Sequence, residues 1–234
     1  MIDMVTTPDG SPVAMVHCNN CTSDLNAWVN LFKEYQELLG IPVDMNEVFG
    51  KLYNHALKGD ADCGGLMAYN YISGEPVTGL ADGRPLFMRS AKSKFNLANF
   101  MRANLYASVG VLKIGNDILF NDEKVKVDRI TGHGGLFKTP GVGQRILAAA
   151  INSPISVMET AGEGGAWGIA LLAGYLVNNK SKMNLADYLD KKVFAGNTGV
   201  EIAPTKEDVE GFNEYIKEYQ NCLPVEQAAV KLKK

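Results

Sequence analysis

Apolar side chains recur along the chain at two spacings, one helical and one suited to short strands. Trp28, Phe32, Tyr35 and Leu39 fall every three or four residues and predict a helix that Ser23 and Asp24 cap and Gly40 ends. Asp44 with Glu47 has the form of a capping box, with Asp in place of Ser or Thr. It opens a helix carrying Val48, Leu52 and Ala56, with Gly59 as its stop. From Asn96, the residues Leu97, Phe100, Met101, Leu105, Val109 and Leu112 make one apolar face, which predicts a helix running past Gly110 to Ile114. Thr205 should cap a last helix holding Val209, Phe212, Tyr215, Ile216 and Tyr219, which Pro224 is expected to break before a basic amphipathic tail.

Short apolar runs at 13–16, 66–69, 86–88 and 155–158 read as strands. Residues 1–12 are polar, with turns at Pro8-Asp9-Gly10 and Pro12, and 73–85 is a long loop full of helix and strand breakers. The stretch 125–151 organises the rest. Val125, Val127 and Ile130 are β-branched and suit a strand, and Gly132, Gly134 and Gly135 permit a sharp turn. Thr139-Pro140 has the form of a helix start, followed by Ile146, Leu147, Ala150 and Ile151 at helical spacing. Strand, glycine turn and helix together suit a nucleotide, because bare backbone can lie against a flat ring or face a phosphate. A second unit follows: the strand at 155–158, a glycine turn at 159–165 and a small-residue helix at 166–177 that must pack closely on something. A short helix is expected at 185–189. Helices and short strands interleave without repeat, low-complexity run or linker, which predicts an α/β domain.

Composition narrows the classes. The 234 residues suffice for one large domain or two small ones, and 46% hydrophobic with 21% charged residues is ordinary for a globular protein. A net charge of −3 gives no general pull toward nucleic acid or an anionic membrane. No run approaches the roughly 20 apolar residues of a spanning helix, and the N-terminus lacks the basic flank and apolar run of a signal peptide. The cysteines at 18, 21, 63 and 222 show no disulfide framework, so a reducing cytoplasm is the expected compartment.

Few motifs carry chemistry on their own. His17-Cys18 with Cys21 is half a zinc site, short of the four ligands that a structural site needs. Gly141-Val-Gly143 lacks the third glycine of a dinucleotide fingerprint, and Lys138-Thr139 lacks the spaced glycine of a Walker loop. His133 in the glycine turn reads as a structural hydrogen-bonding residue rather than a base. Asp24, Glu75, Asp82, Asp117 and Glu163 lie near breakers, where each alone reads as a cap or a solvated turn.

In order along the chain, several motifs resemble the C-terminal half of the FGGY carbohydrate kinases, the family of xylulokinase, ribulokinase and glycerol kinase. Gly134-Gly135-Leu-Phe-Lys138-Thr139 and then Gln144-Arg145-Ile146-Leu147-Ala148 look like the family's glycine turn and following helix. The residues 165–170 are similar to its Gly- and Ala-rich helix, Ser73-Gly74-Glu75-Pro76 to its Ser-Gly-Glu-Arg loop, and 22–28 to its helix ending in Trp. Ala149 departs from the family's usual Asp, and Gly174 interrupts the small-residue helix.

The resemblance implies an actin-like ATPase domain of the ribonuclease H type, the C-terminal half of a two-domain sugar kinase. It implies ATP as ligand with Mg2+, and a sugar bound through another domain. By that analogy Gly134 and Gly135 lie against the adenine, Lys138 and Thr139 stand beside it, and Ser23 and Asp24 mark a helix start facing the phosphates. The family's general base and its Gly-Thr phosphate turn have no counterpart in residues 1–234, so the chain is expected to be the single C-terminal-type domain and inactive alone. A pentulose such as xylulose or ribulose is the expected substrate class, from the likeness of 134–155 to the ribulokinase pattern. Neither nucleic acid nor membrane is an expected partner, and a homodimer is left open. The rival readings are an orphan actin-like domain that binds nucleotide or a partner without catalysis, and an acetate-kinase-type or chaperone-type ATPase.

Overall fold

The computed structural model describes residues 2–179, 182–197 and 199–232. The chain opens with an antiparallel hairpin, β1 (Ile2–Thr6) and β2 (Pro12–Val16), with Ile2 opposite Val16 and Thr6 opposite Pro12. The sequence pattern shows only β2. β1 alternates too weakly to be legible, and it forms because the turn around Asp9 and Gly10 folds it back onto β2: the Gly10 N–H donates to Thr7 O at 2.9 Å.

Helices α1 (Ser23–Leu38) and α2 (Met45–Ala56) follow. α1 buries Leu25 and Val29 rather than the expected lower part of its stripe, since Tyr35 and Leu39 are exposed. α2 starts as predicted, with Asp44 accepting from the Asn46 N–H at 2.9 Å. A short antiparallel pair, β3 (Met67–Tyr69) and β4 (Leu86–Met88), brackets the long loop.

α3 (Leu97–Asp117) is the centre of the molecule. Asn96 caps it by accepting from the Asn99 N–H, and every residue from Ala98 to Val111 is buried. A helix buried on all sides needs neighbours on all sides, and α2, β3, α4 (Val142–Ile151) and α7 (Lys206–Val230) supply them. The aromatic residues of α7, Phe212, Tyr215 and Tyr219, stack with Tyr69, Tyr71 and Tyr106. Their phenols are paired: Tyr215 donates to Ala68 O and Ala103 O, and Tyr219 to Tyr71 Oη at 2.8 Å. Asp208 on α7 binds Arg102 of α3 and, at 3.1 Å, Arg145 of α4. Burial works to raise the Asp208 carboxyl. Hydrogen bonds from Thr205, Arg102 and Arg145 outweigh it and hold the group below the usual carboxylate range.

The last sheet has the order β5-β6-β7, with β5 (Ile130–Gly132) parallel to β6 (Ile155–Val157) and β7 (Val200–Ile202) antiparallel to β6. Val125 and Val127, expected in β5, are exposed and outside it: α3 runs on through a π-turn at Ile118–Asp122, and the chain reaches the sheet only at Ile130. Thr139 does not cap α4. The cap is Gly141, whose φ of +78° is the left-handed conformation that glycine tolerates, and Thr139 is buried instead. The small-residue helix α5 (Gly164–Asn178) forms as expected but buries no residue. Its predicted close packing is therefore not made within the described chain, and Ile169, Leu176 and Val177 stand exposed. α6 (Leu185–Tyr188) is the predicted short helix. Pro224 does not end α7. The helix continues to Val230, and burial of Glu226 and Ala229 beyond the proline holds its last turns in place.

Candidate functional site

The glycine turn sits at the C-terminal end of β5, where parallel strands present ligand sites. The Gly134 N–H donates to Ala161 O at 2.8 Å, which ties the turn to the segment after β6. Gly134 has a φ of +102°, a conformation closed to most side chains. Gly135 then starts a short 3-10 turn in which the Lys138 N–H donates to Gly135 O at 3.1 Å. A Cβ built on either glycine would meet nothing within 4 Å. The protein itself leaves this space open, so the missing side chains clear room rather than relieve a clash.

A cleft of about 410 Å³ faces the turn. Gly135, Lys138 and Thr139 form one wall, Thr22 and Asn26 of α1 another, and Asn46, Phe49 and Tyr53 of α2 the third. Phe49 and Tyr53 meet edge to face at 5.6 Å, so the cleft is lined by aromatic rings as well as by bare backbone. Burial, with a smaller contribution from Cys21, pushes the Tyr53 phenol up to about 12, so it remains a neutral hydrogen-bonding group.

The structure thus brings three of the sequence-predicted residues, Gly135, Lys138 and Thr139, into one wall, with Gly134 immediately behind them. Ser23 and Asp24 follow Thr22 in the first turn of α1 and do not themselves line the cleft. Thr22 is the N-cap and supplies no side-chain bond, so the first N–H groups of α1 have no side-chain cap at this end of the cleft. Burial raises the Asp24 carboxyl, against a lowering hydrogen bond from Trp28. The Lys138 ammonium pairs with Glu163 at 2.9 Å, and this hydrogen bond holds the exposed Glu163 carboxyl below its usual range.

Asn26, Asn46, Phe49 and Tyr53 were not singled out by the sequence. A signal existed: Asn46, Phe49 and Tyr53 are spaced to share one face of α2, and Asn26 is one turn after Thr22. It could be read only with the glycine turn known to line the same cleft. A larger cleft of about 870 Å³ opens on the other side of Lys138, between the start of α4 and β7. Cys18 and Cys21 are free, and no group of three or more metal-ligating side chains converges among the described residues. No helix there is long and apolar enough to cross a membrane.

Comparison with known proteins places the chain in a family. Residues 1–177 match the family model described as the FGGY family of carbohydrate kinases, C-terminal domain. No curated protein matches the chain in sequence. Among solved structures, xylulose kinase from Rhodospirillum rubrum superposes with a TM-score of 0.67 at 17% identity, over 97% of this chain and 43% of that one. Gluconate kinase from Lactobacillus acidophilus gives 0.55 at 18% identity, over 77% and 34%. Plasmodium falciparum glycerol kinase with ADP gives 0.56 at 16% identity, over 88% and 38%. The chain therefore spans less than half the length of these kinases. The α/β fold is the actin-like, ribonuclease H-like one that these kinases share, and the chain belongs to the FGGY family of carbohydrate kinases through its C-terminal domain.

Proposed function

We propose that this chain is the ATP-binding half of a carbohydrate kinase, which transfers the γ-phosphoryl group of ATP to a sugar hydroxyl when completed by a sugar-binding domain. The observation that carries the reading is the cleft between the open Gly134-Gly135 turn and the Phe49–Tyr53 wall, with the start of α1 at its end. A flat heterocycle fits between bare backbone and an aromatic side. Thr139 would stand beside the ring, and the amides that open α1, at Ser23 and Asp24, would face the phosphates. ATP thus suits the residues present. Magnesium does not find a site of its own among the described residues and would come with the phosphates.

In this reading residues 1–234 form a single C-terminal-type domain, and the sugar site and the general base are supplied from outside residues 1–234. The exposed apolar residues of α5, Ile169, Leu176 and Val177, support it, because such a face is what a packed domain would cover. The pentulose preference rests on the likeness of 134–155 to ribulokinases, while the similar solved structures are named as xylulose, gluconate and glycerol kinases.

Titration of the chain with ATP, beside Gly135→Val, tests the reading. The valine would fill space that is now open, with a loss of about 5- to 150-fold in affinity for overpacking of about 1–3 kcal/mol. Equal affinity of the two proteins would refute the adenine-side assignment.

A further inference from the structure

Glu75 lies on the long loop, remote in sequence from the cleft, and its residue exposure is 0%. A buried carboxylate is costly unless donors converge on it. Three do, all from one turn: Glu75 Oε2 accepts from the Asn19 N–H at 3.0 Å, the Asn20 N–H at 3.3 Å and Asn20 Nδ2 at 3.2 Å. The neighbouring loop residues grip the same turn. Asn19 Nδ2 donates to Gly74 O, Asn20 Nδ2 to Ser73 O, and Asn70 Nδ2 to Cys21 O. In return Asn20 Oδ1 accepts from the N–H groups of Ile72 and Ser73. The residue after this turn is Thr22, the N-cap of α1 and a wall of the cleft. Asn70 Oδ1 and Glu75 Oε1 are buried there without a protein hydrogen-bond partner.

We infer that Glu75 is a positioning residue for nucleotide binding: it fixes the turn 19–21 and so aims the first amides of α1 at the phosphate end of the cleft. The inference rests on the proposed ATP site. The ring side is held separately, through Gly134 and Ala161. Glu75 therefore governs the phosphates and leaves the adenosine moiety alone. A residue that merely stabilises the fold would affect both alike.

The test is titration of the 234-residue chain with MgATP and, separately, with adenosine, followed by ligand-observed NMR, for wild type, Glu75→Ala and Glu75→Gln. Glu75→Ala should weaken ATP about tenfold and adenosine less than about twofold, the scale of a lost charge-assisted contact at a helix start. Glu75→Gln keeps an oxygen for the Asn19 and Asn20 amides and should recover most of the ATP affinity. Equal losses for the two ligands, or none for either, would overturn the inference while the ATP site stands. If Glu75→Ala fails to fold, Asn20→Ala decides in its place, because it removes the side-chain bonds of the turn to Glu75, Ser73 and Ile72: a loss confined to ATP supports the assignment, and an unchanged or unselective affinity overturns it. If wild type binds neither ligand, the ATP site itself fails and the inference falls with it.

Discussion

Replacing Asp208 with Ala should destabilise the domain more than any cleft substitution. The carboxylate joins three helices, and its side chain is 11% exposed against 4% for Arg102. Arg102 would keep Tyr106 Oη and Gly59 O as acceptors but lose its counter-charge. An uncompensated buried charge of this kind costs about 3–5 kcal/mol. The Arg145 pair adds less than about 1 kcal/mol, because Arg145 is 39% exposed and solvent screens it. At roughly 2–4 °C per kcal/mol for a chain of this size, the melting temperature should fall by about 6–20 °C. Circular dichroism melts and urea titration at pH 7 measure it. The double variant Asp208→Ala with Arg102→Met should recover most of the loss, since no buried charge is then left unpaired and the Arg145 guanidinium is solvated. The pH dependence follows from the sign of the shift. The Asp208 carboxyl is held below its ordinary 3.8, so its stabilisation is present above that pH and is lost as pH falls through the lower folded value. The gap between wild type and variant should therefore close in acid. A single-variant loss below about 1 kcal/mol, or no recovery in the double variant, would refute the account.

Glu226 should show the opposite pH behaviour. Burial raises its carboxyl above the ordinary 4.5, so a penalty appears as pH rises past that value, and Glu226→Gln should gain stability relative to wild type between pH 4 and 7 in melts. A difference that shrinks with rising pH would contradict this. Gly143→Ala should destabilise the domain by about 1–3 kcal/mol, because the new Cβ would lie 2.6 Å from Leu136 O, whereas Gly135→Ala should leave the melting temperature nearly unchanged. Similar losses in both would show that the Gly135 space is not open.

Local signals in the sequence carried the helix starts at Asp44, Asn96 and Thr205, because a cap is decided within three residues. They failed where distant contacts decide. Pro224 is a local breaker, yet the helix continues because Glu226 accepts from the Arg84 N–H at 2.8 Å, 142 positions away. Tyr35 and Leu39 fit the helical stripe of α1 but lie beyond the part that reaches the core, so spacing alone could not tell them from Leu25 and Val29. The small residues of α5 signal close packing without saying against what. Among the described residues Phe194 and Tyr188 meet its Trp167 and Tyr175, yet no residue of α5 becomes buried.

The candidate site was half legible for the same reason. Glycines announce open backbone wherever they stand, so Gly134 and Gly135 could be picked from the sequence. Phe49 and Tyr53 look like ordinary core residues of an amphipathic helix until α2 is docked. Both halves are placed by α3, which packs against α2 on one side and α4 on another and contributes no residue to the cleft. The spacing of bare backbone and aromatic residues is thus set from behind, by α3 packing on α2 and on the helix that follows the glycine turn. Its continuous burial from Ala98 to Val111 leaves little freedom for either neighbour to shift. The walls of the cleft are therefore held by core packing rather than by contacts of their own, so core substitutions in α3 should reach the cleft through α2 and α4.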